Sequence, residues 1–371
     1  MRNFRRCCAA VVSLLLLVYA QIAPAEWQWV NPFPSGNPIS ALTWDGSRFV
    51  AFDGSGAVLT SIDAVTWTNN SSGQSDFVTA LAWGNGTYVA AAVGFGGTRI
   101  LTSPDALTWT PHDLGIPVNR IAQALWNPDL GQFVLIADSG VIMTSTNGTD
   151  WVPQASGTLN DLDGIVWHKS QYVVVGAVGA ILTSSDGVDW KDHSIAIDDP
   201  LLSVAASGNL YAIVRGSGPA NDHSAILTNR NPAKPGDWQL AFGVVDPSAH
   251  SELARIVWDG NAFVALGGII ATSIDGVVWT HVASPALDIL DVVAFSGDAI
   301  VAADDVGSIL ASTLDGLNWT PESSNFIDES LTSIVWNGSV FGAVGEFGSF
   351  ISSSNGLDWD VNAFALPISA Q

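Results

Sequence analysis

One phrase recurs along this chain. TSIDAVTW ends at Trp67, TSPDALTW at Trp109, TSTNGTDW at Trp151, TSSDGVDW at Trp190, TSIDGVVW at Trp279, STLDGLNW at Trp319 and SSSNGLDW at Trp359. A disturbed copy, LTNRNPAKPGDW, ends at Trp238. The copies follow one another roughly every 40 residues, the signature of one supersecondary unit repeated. Such a unit cannot bury its apolar face alone, so the fold must stack neighbouring copies.

The unit reads as four short strands. In residues 162–190, LDGIVW is an apolar run ending at Trp167, and HKSQ is polar and turn-like. YVVVG begins at Tyr172 and is β-branched, AILT follows a Gly-containing turn, and Trp190 opens the last strand. Alternation and turn spacing indicate strands, and no segment sustains a helical period. First strands end at Trp44, Trp83, Trp126, Trp167, Ala206, Trp258, Phe295 and Trp336. Eight copies of a four-stranded antiparallel unit predict an all-β fold, a β-propeller of eight blades spanning residues 26–371 as one domain. Seven blades are the alternative, because Trp27-Gln28-Trp29-Val30 resembles an additional fourth strand.

The repeated carboxylates have a mechanical role. Asp63, Asp105, Asn147, Asp186, Asp275, Asp315 and Asn355 fall in the turn between the third and fourth strands. A side-chain oxygen there accepts hydrogen bonds from the turn's own amides. The tryptophan four residues on is expected to be buried between neighbouring sheets, each indole removing roughly 200 Å² from water.

The ends and the charge narrow the setting. Arg2, Arg5 and Arg6 precede an apolar run, and Ala23-Pro24-Ala25 follows, so residues 1–25 read as a signal peptide. Export to the periplasm or outside the cell is expected. Both cysteines, Cys7 and Cys8, lie in that leader, which leaves no disulfide or thiol chemistry to the remainder. No later run reaches membrane length, and a monomer is expected. The chain carries 35 acidic against 12 basic residues, a net charge of −23. That sign disfavours nucleic acid and anionic membranes as partners and leaves proteins, glycans and cations.

The phrase in Ser184-Ser185-Asp186-Gly187-Val188-Asp189-Trp190 and Ser273-Ile274-Asp275-Gly276-Val277-Val278-Trp279 resembles the Asp box of BNR-repeat β-propellers. The wording of the repeats is most similar to photosystem II stability/assembly factor-like proteins. That resemblance implies a propeller acting as a scaffold or assembly factor. The family also has seven blades and an arginine-rich patch, from which this arginine-poor chain departs. Asp boxes equally occur in carbohydrate-active enzymes, so a glycoside hydrolase, sialidase-like enzyme or polysaccharide lyase is the alternative function. A sialidase would need three convergent arginines, and only Arg48, Arg99, Arg120, Arg215, Arg230 and Arg255 follow the leader. Tyr88, Tyr172 and Tyr211 all begin second strands, where packing accounts for them. No catalytic set is assigned.

Candidate sites lie where the pattern fails, on the face opposite the Asp turns. Blade five lengthens its turn between the second and third strands, bringing in Arg215, Asp222 and His223, and its link to blade six carries Asp246, His250 and Glu252. Long loops on a rigid scaffold concentrate function. Phe95 and Phe347, in other turns of that face, are candidate aromatic contacts. Asp53, Asp138, Asp304, Asp305 and Glu346 follow second strands and form a candidate cation set. No motif requires a cofactor; oxygen ligands of this kind would select Ca²⁺.

Overall fold

A computed structural model describes residues 39–361 apart from 65, 73–75, 95–96, 219–222, 244–251, 283, 285–288, 297–298, 305–308, 314–315, 322–330 and 346–348. It contains eight four-stranded antiparallel sheets, each with its strands in chain order. Blade one comprises β1 (Ile39–Trp44), β2 (Phe49–Asp53), β3 (Ala57–Ser61) and β4 (Thr68–Ser71). Blades two to eight occupy residues 77–113, 121–154, 162–192, 201–243, 253–282, 290–321 and 331–361. Each first strand packs against the first strand of the next blade, and that of blade eight returns to β1. The result is the expected eight-bladed β-propeller. The segment containing Trp27 and Trp29 lies outside the described residues.

Position within a blade sets burial. The second strands are sandwiched between sheets and buried along their length in blades one, three, six and eight. The short fourth strands form the outer rim, and in blade four both residues of that strand are exposed. All eight first strands meet their second strands with a register shift near the start, as between Ile39 and Ala41 or Leu253 and Arg255. An extra residue in one strand bends it and increases its twist. Repetition of that bulge gives every inner strand the same curvature around the axis.

Aromatic side chains tie the strands of a blade together. Trp44 lies 4.7 Å from Phe49, which lies 6.1 Å from Trp67. The same threesome appears as Trp167, Tyr172 and Trp190, with separations of 4.4 and 5.9 Å. The fourth-strand tryptophan also reaches the preceding blade: Trp109 packs 4.7 Å from Phe52 of blade one. Its indole N–H donates back to its own turn, from Trp190 to the Gly187 carbonyl at 2.9 Å and from Trp359 to the Gly356 carbonyl at 3.0 Å. Burial is less complete than the sequence suggested. Trp67 and Trp109 are buried, whereas Trp151, Trp190, Trp279, Trp319 and Trp359 keep an edge in solvent. Their strand is outermost, so one flank of the ring has no covering layer.

The Asp turn is closed by its own hydrogen bonds. Asp186 Oδ1 accepts from the Ser184 hydroxyl at 2.9 Å and from the amides of Val188 and Asp189 at 2.8 and 2.9 Å. The Gly187 amide donates to Ser184 Oγ at 2.8 Å. Asp63, Asp105 and Asp275 repeat this pattern, and Asn147 and Asn355 reproduce it with an amide. In both asparagine turns the side-chain N–H also donates to an aspartate three residues on, Asp150 at 2.8 Å and Asp358 at 3.0 Å. Asp315 lies outside the described residues.

Among the described residues, ring closure shares no strand between the chain ends. Blade one is built only from early strands and blade eight only from late ones. The seam is packed instead: Trp67 meets Phe350 at 3.9 Å, and the Thr332 hydroxyl donates to the Ile39 carbonyl. Ala64 stands in this blade-one turn at φ 59, as Ala106 does at φ 62 in blade two, where later turns such as Gly148 and Gly187 have glycine. Blade eight faces it with Gly342, whose missing Cβ would sit 3.2 Å from the Ala64 methyl and 3.2 Å from the Phe49 ring. The corresponding second-strand position is Val in blades one to four.

Two outcomes follow for stability. Gly342→Val should lower it by about 1–3 kcal/mol through overpacking, and adding Ala64→Gly should recover part of that loss; urea unfolding of the four members of the cycle measures the coupling. Asp186→Ala should cost about 1–2 kcal/mol, whereas Asp186→Asn should cost much less, because Asp189 stands where Asp150 and Asp358 accept. Amide hydrogen bonds hold the carboxyls of Asp105, Asp186 and Asp275 below the usual carboxylate range. A depressed folded value stabilises above the unfolded value and is lost as pH falls through the folded one. The acid limb of a melting-temperature profile, below about pH 4, should therefore be shallower in Asp186→Asn than in the parent.

Candidate binding face

The antiparallel order puts the Asp turns and the first-to-second turns at one end of every blade. The second-to-third turns and the links between blades lie at the other end. That second face is where the sequence placed its candidates.

Blade five and its link to blade six meet there. Arg215 ends the second strand (Leu210–Arg215). Its Nε lies 3.6 Å from Asp199 Oδ2, with side-chain exposures of 17% and 0%. Its Nη2 donates to the His223 carbonyl at 3.2 Å, which ties the two ends of the lengthened turn together. The Ser217 hydroxyl donates to Glu252 Oε1 at 2.6 Å across the blade boundary. The structure thus gathers Arg215, His223 and Glu252 into one region. Asp222, Asp246 and His250 lie outside the described residues, as do Phe95 and Phe347.

The proposed cation set does not assemble among the described residues. Asp53 and Asp304 are equivalent by register, pairing with Ile39 and Leu290 at the start of their first strands. Asp138 falls one residue later, because Ala137 occupies the pairing position opposite Ile121. Asp53 is fully buried, and its Oδ1 accepts from the Ser55 amide, the Ser55 hydroxyl and the Ala57 amide, each at 2.8 Å. Asp138 accepts from the Asn119 side chain at 3.0 Å and its amide at 3.2 Å. Asp53 and Asp138 are thus taken up by their own local loops, and the three carboxylates stand on three different blades. No three His, Asp or Glu side chains among the described residues come together as a metal site. Asp305 and Glu346 lie outside the described residues.

Sequence reasoning missed a set of stitches between and within blades. Arg120 Nη2 meets Asp163 Oδ1 at 2.6 Å, from the start of blade three to the bulged residue of blade four. Asp161 accepts from the Ser139 amide at 2.8 Å across the same boundary. Arg99 lies 3.2 Å from Asp76. The signal was in the sequence as acids just before or within first strands, which only the ring brings opposite arginines of another strand. Arg120 is 48% exposed and Asp163 21%, so this pair faces solvent at the inner rim.

The tyrosines sit at the other end of the blades. The Tyr88 hydroxyl donates to Asp45, and Tyr172 hydroxyl accepts from Asn127 at 2.7 Å. Burial, reinforced by the Asp45 carboxylate, pushes the Tyr88 hydroxyl well above the ordinary phenol range. Burial also raises Tyr172 and Tyr211. These groups stay protonated and packed, away from the loop face.

Comparison with known proteins separates fold from sequence. No protein family and no curated protein matches the chain in sequence. The fold is similar to the computationally designed Ika8 protein, with a TM-score of 0.65 and 15% identity over 86% of this chain and 97% of that one. It is also similar to YCF48 bound to D1 peptide, TM-score 0.56 and 13% identity over 92% and 96% of the two chains. YCF48 from Cyanidioschyzon merolae gives a TM-score of 0.55 at 14% identity over 86% and 97%. At this identity the likeness is one of fold.

The two kinds of arginine pair should behave differently. Arg215→Met leaves a buried carboxylate facing an apolar chain and should cost about 3 kcal/mol. Arg120→Met removes a half-exposed pair and should cost less than about 1 kcal/mol. Equal losses in urea unfolding would contradict the burial assigned to Asp199.

Proposed function

We propose that this chain is an exported, non-catalytic propeller that holds a macromolecular partner, protein or glycan, on its loop face, as a scaffold or assembly factor. The observation that carries this reading is the distribution of polar groups over that face. Arg120, Asp163, Asp161, Ser217 and Glu252 are spread over blades three to six, and each has a partner that fixes it. Groups spread and fixed in this way suit an extended polymer lying across several blades better than a small substrate held at one point. The YCF48 structure with D1 peptide supports the idea that a propeller of this shape can take a peptide. We carry over no photosystem partner, since arginine is scarce here.

The same proposal includes three finer points. The repeated turns are Asp boxes of the BNR type, the leader is removed after Ala25, and the protein works in the periplasm or outside the cell. N-terminal sequencing of the secreted protein should then begin at Glu26.

The binding reading is tested with immobilised protein and an extract of its own compartment, beside a glycan-hydrolysis screen. A variant carrying Arg120→Ala, Ser217→Ala and Glu252→Ala should keep its melting temperature within a few degrees and retain at least tenfold less partner. Equal retention would remove the loop face from the reading. Glycan turnover that disappears in the variant would make the chain an enzyme instead.

A further inference from the structure

Blade five breaks the repeat on the Asp-turn face as well, and there it opens a cleft. In two other blades the residue before the second-strand aromatic reaches across to the next blade's turn. Arg48 donates to the Asp105 carbonyl at 3.2 Å, and Gln132 to the Asp186 carbonyl at 2.7 Å. Blade five has Leu210 at this position, which cannot donate. Its methyl end lies against Gly276 of blade six, where a Cβ would meet it at 2.0 Å. That seam is apolar where two others are polar.

The third-to-fourth turn of blade five is also rebuilt. Asn229 replaces the usual serine and organises a longer loop, donating to the Lys234 carbonyl at 2.9 Å and accepting from the Asn231 amide at 2.8 Å. Pro235–Asp237 forms a short 3₁₀ turn before Trp238. The loop holds Arg230 and Lys234 over a cleft of about 490 Å³. Leu210, Leu240 and Val277 form its apolar part, and Leu240 and Val277 are 65% and 56% exposed. This volume falls in the range of small-molecule sites, roughly 300–1,000 Å³.

Charge decides the class of ligand. Arg230 is exposed and makes no side-chain hydrogen bond or ion pair among the described residues, in a chain with 35 acidic residues. Lys234 lies 4.0 Å from Asp237, with both side chains more than half exposed. The lining therefore carries two cations and one carboxylate beside its apolar side chains. We infer that the cleft between blades five and six binds a small organic acid, with its carboxylate at Arg230 and Lys234 and its apolar body against Leu210, Leu240 and Val277. This site is on the opposite face from the loop-face reading and does not depend on it. An isolated carboxylate would gain little in water, and an uncharged apolar molecule would leave Arg230 without a partner, so the two features together define the ligand.

Calorimetry with 2-naphthoate tests this, with 2-naphthylmethanol and acetate as comparators. Naphthoate should bind once per chain, at least tenfold more tightly than either comparator, and more weakly in high salt. Arg230→Gln with Lys234→Gln should weaken it at least tenfold, as should Leu240→Asp. Lys191→Gln, on the exposed fourth strand of blade four, should leave it unchanged. Melting curves should be unaltered, since the substituted residues are exposed. The inference is overturned if naphthoate does not bind, if the double variant binds it equally, or if the neutral alcohol binds as tightly.

Discussion

The fold depends on the contact between each fourth-strand tryptophan and the blade before it. Outside blade five the indole donates to the carbonyl of its own turn, and it lays its ring against the neighbouring sheet, as Trp109 does on Phe52. It therefore connects a local hairpin to a long-range seam. The serine and aspartate of the turn act one step earlier, because their hydrogen bonds set where the tryptophan leaves the hairpin. Without that seam a blade is a four-stranded sheet with two apolar faces open to water. With it, eight modest units become a closed ring.

The last seam brings the alanine turn of blade one against a glycine of blade eight. A repeat array can tolerate similar units everywhere except where the first must meet the last. At that seam Ala64, like Ala106 of blade two, takes a left-handed backbone conformation, and Gly342 leaves the space beside it open. Two residues nearly 280 positions apart in the chain therefore constrain one another. Neighbouring repeats elsewhere interact over roughly 40 residues, so the closing seam alone carries so distant a constraint.

The repeat made the architecture legible. Period, strand length and the Asp–Trp spacing each follow from local chemistry, and local chemistry survives in a single sequence. Degree of burial was less legible, because whether Trp190 or Trp359 is fully covered depends on its radial position. Site geometry was least legible. Asp53, Asp138 and Asp304 look alike as acids after second strands, yet a one-residue offset separates Asp138 from the others, and Asp53 is consumed by its own turn. Arg120 and Asp163 carried no motif at all; they meet because a bulge in one blade aims an acid at the preceding one. Blade five was the exception, visible from its broken phrase. The sequence pointed to the lengthened loop on one face, whereas the rebuilt turn on the other face bounds a cleft.

Cations in this chain serve mainly as fasteners. Arg48, Arg99, Arg120 and Arg215 each lie within reach of a carboxylate, at 3.4, 3.2, 2.6 and 3.6 Å. Arg255 is also engaged. Such pairing removes positive charge from the surface and leaves the excess acids to set the long-range field. Salt screens that field beyond roughly 8–10 Å, so it repels anions chiefly within that distance of the surface. An anion that does bind must reach a place where short-range attraction exceeds the repulsion. Arg230 and Lys234 make such a place because the loop that carries them has lost the carboxylate of the Asp turn and gained two cations in its stead. The same change that weakens the repeat at blade five thus reverses the local charge, and an apolar wall beside it lowers the dielectric in which the attraction acts.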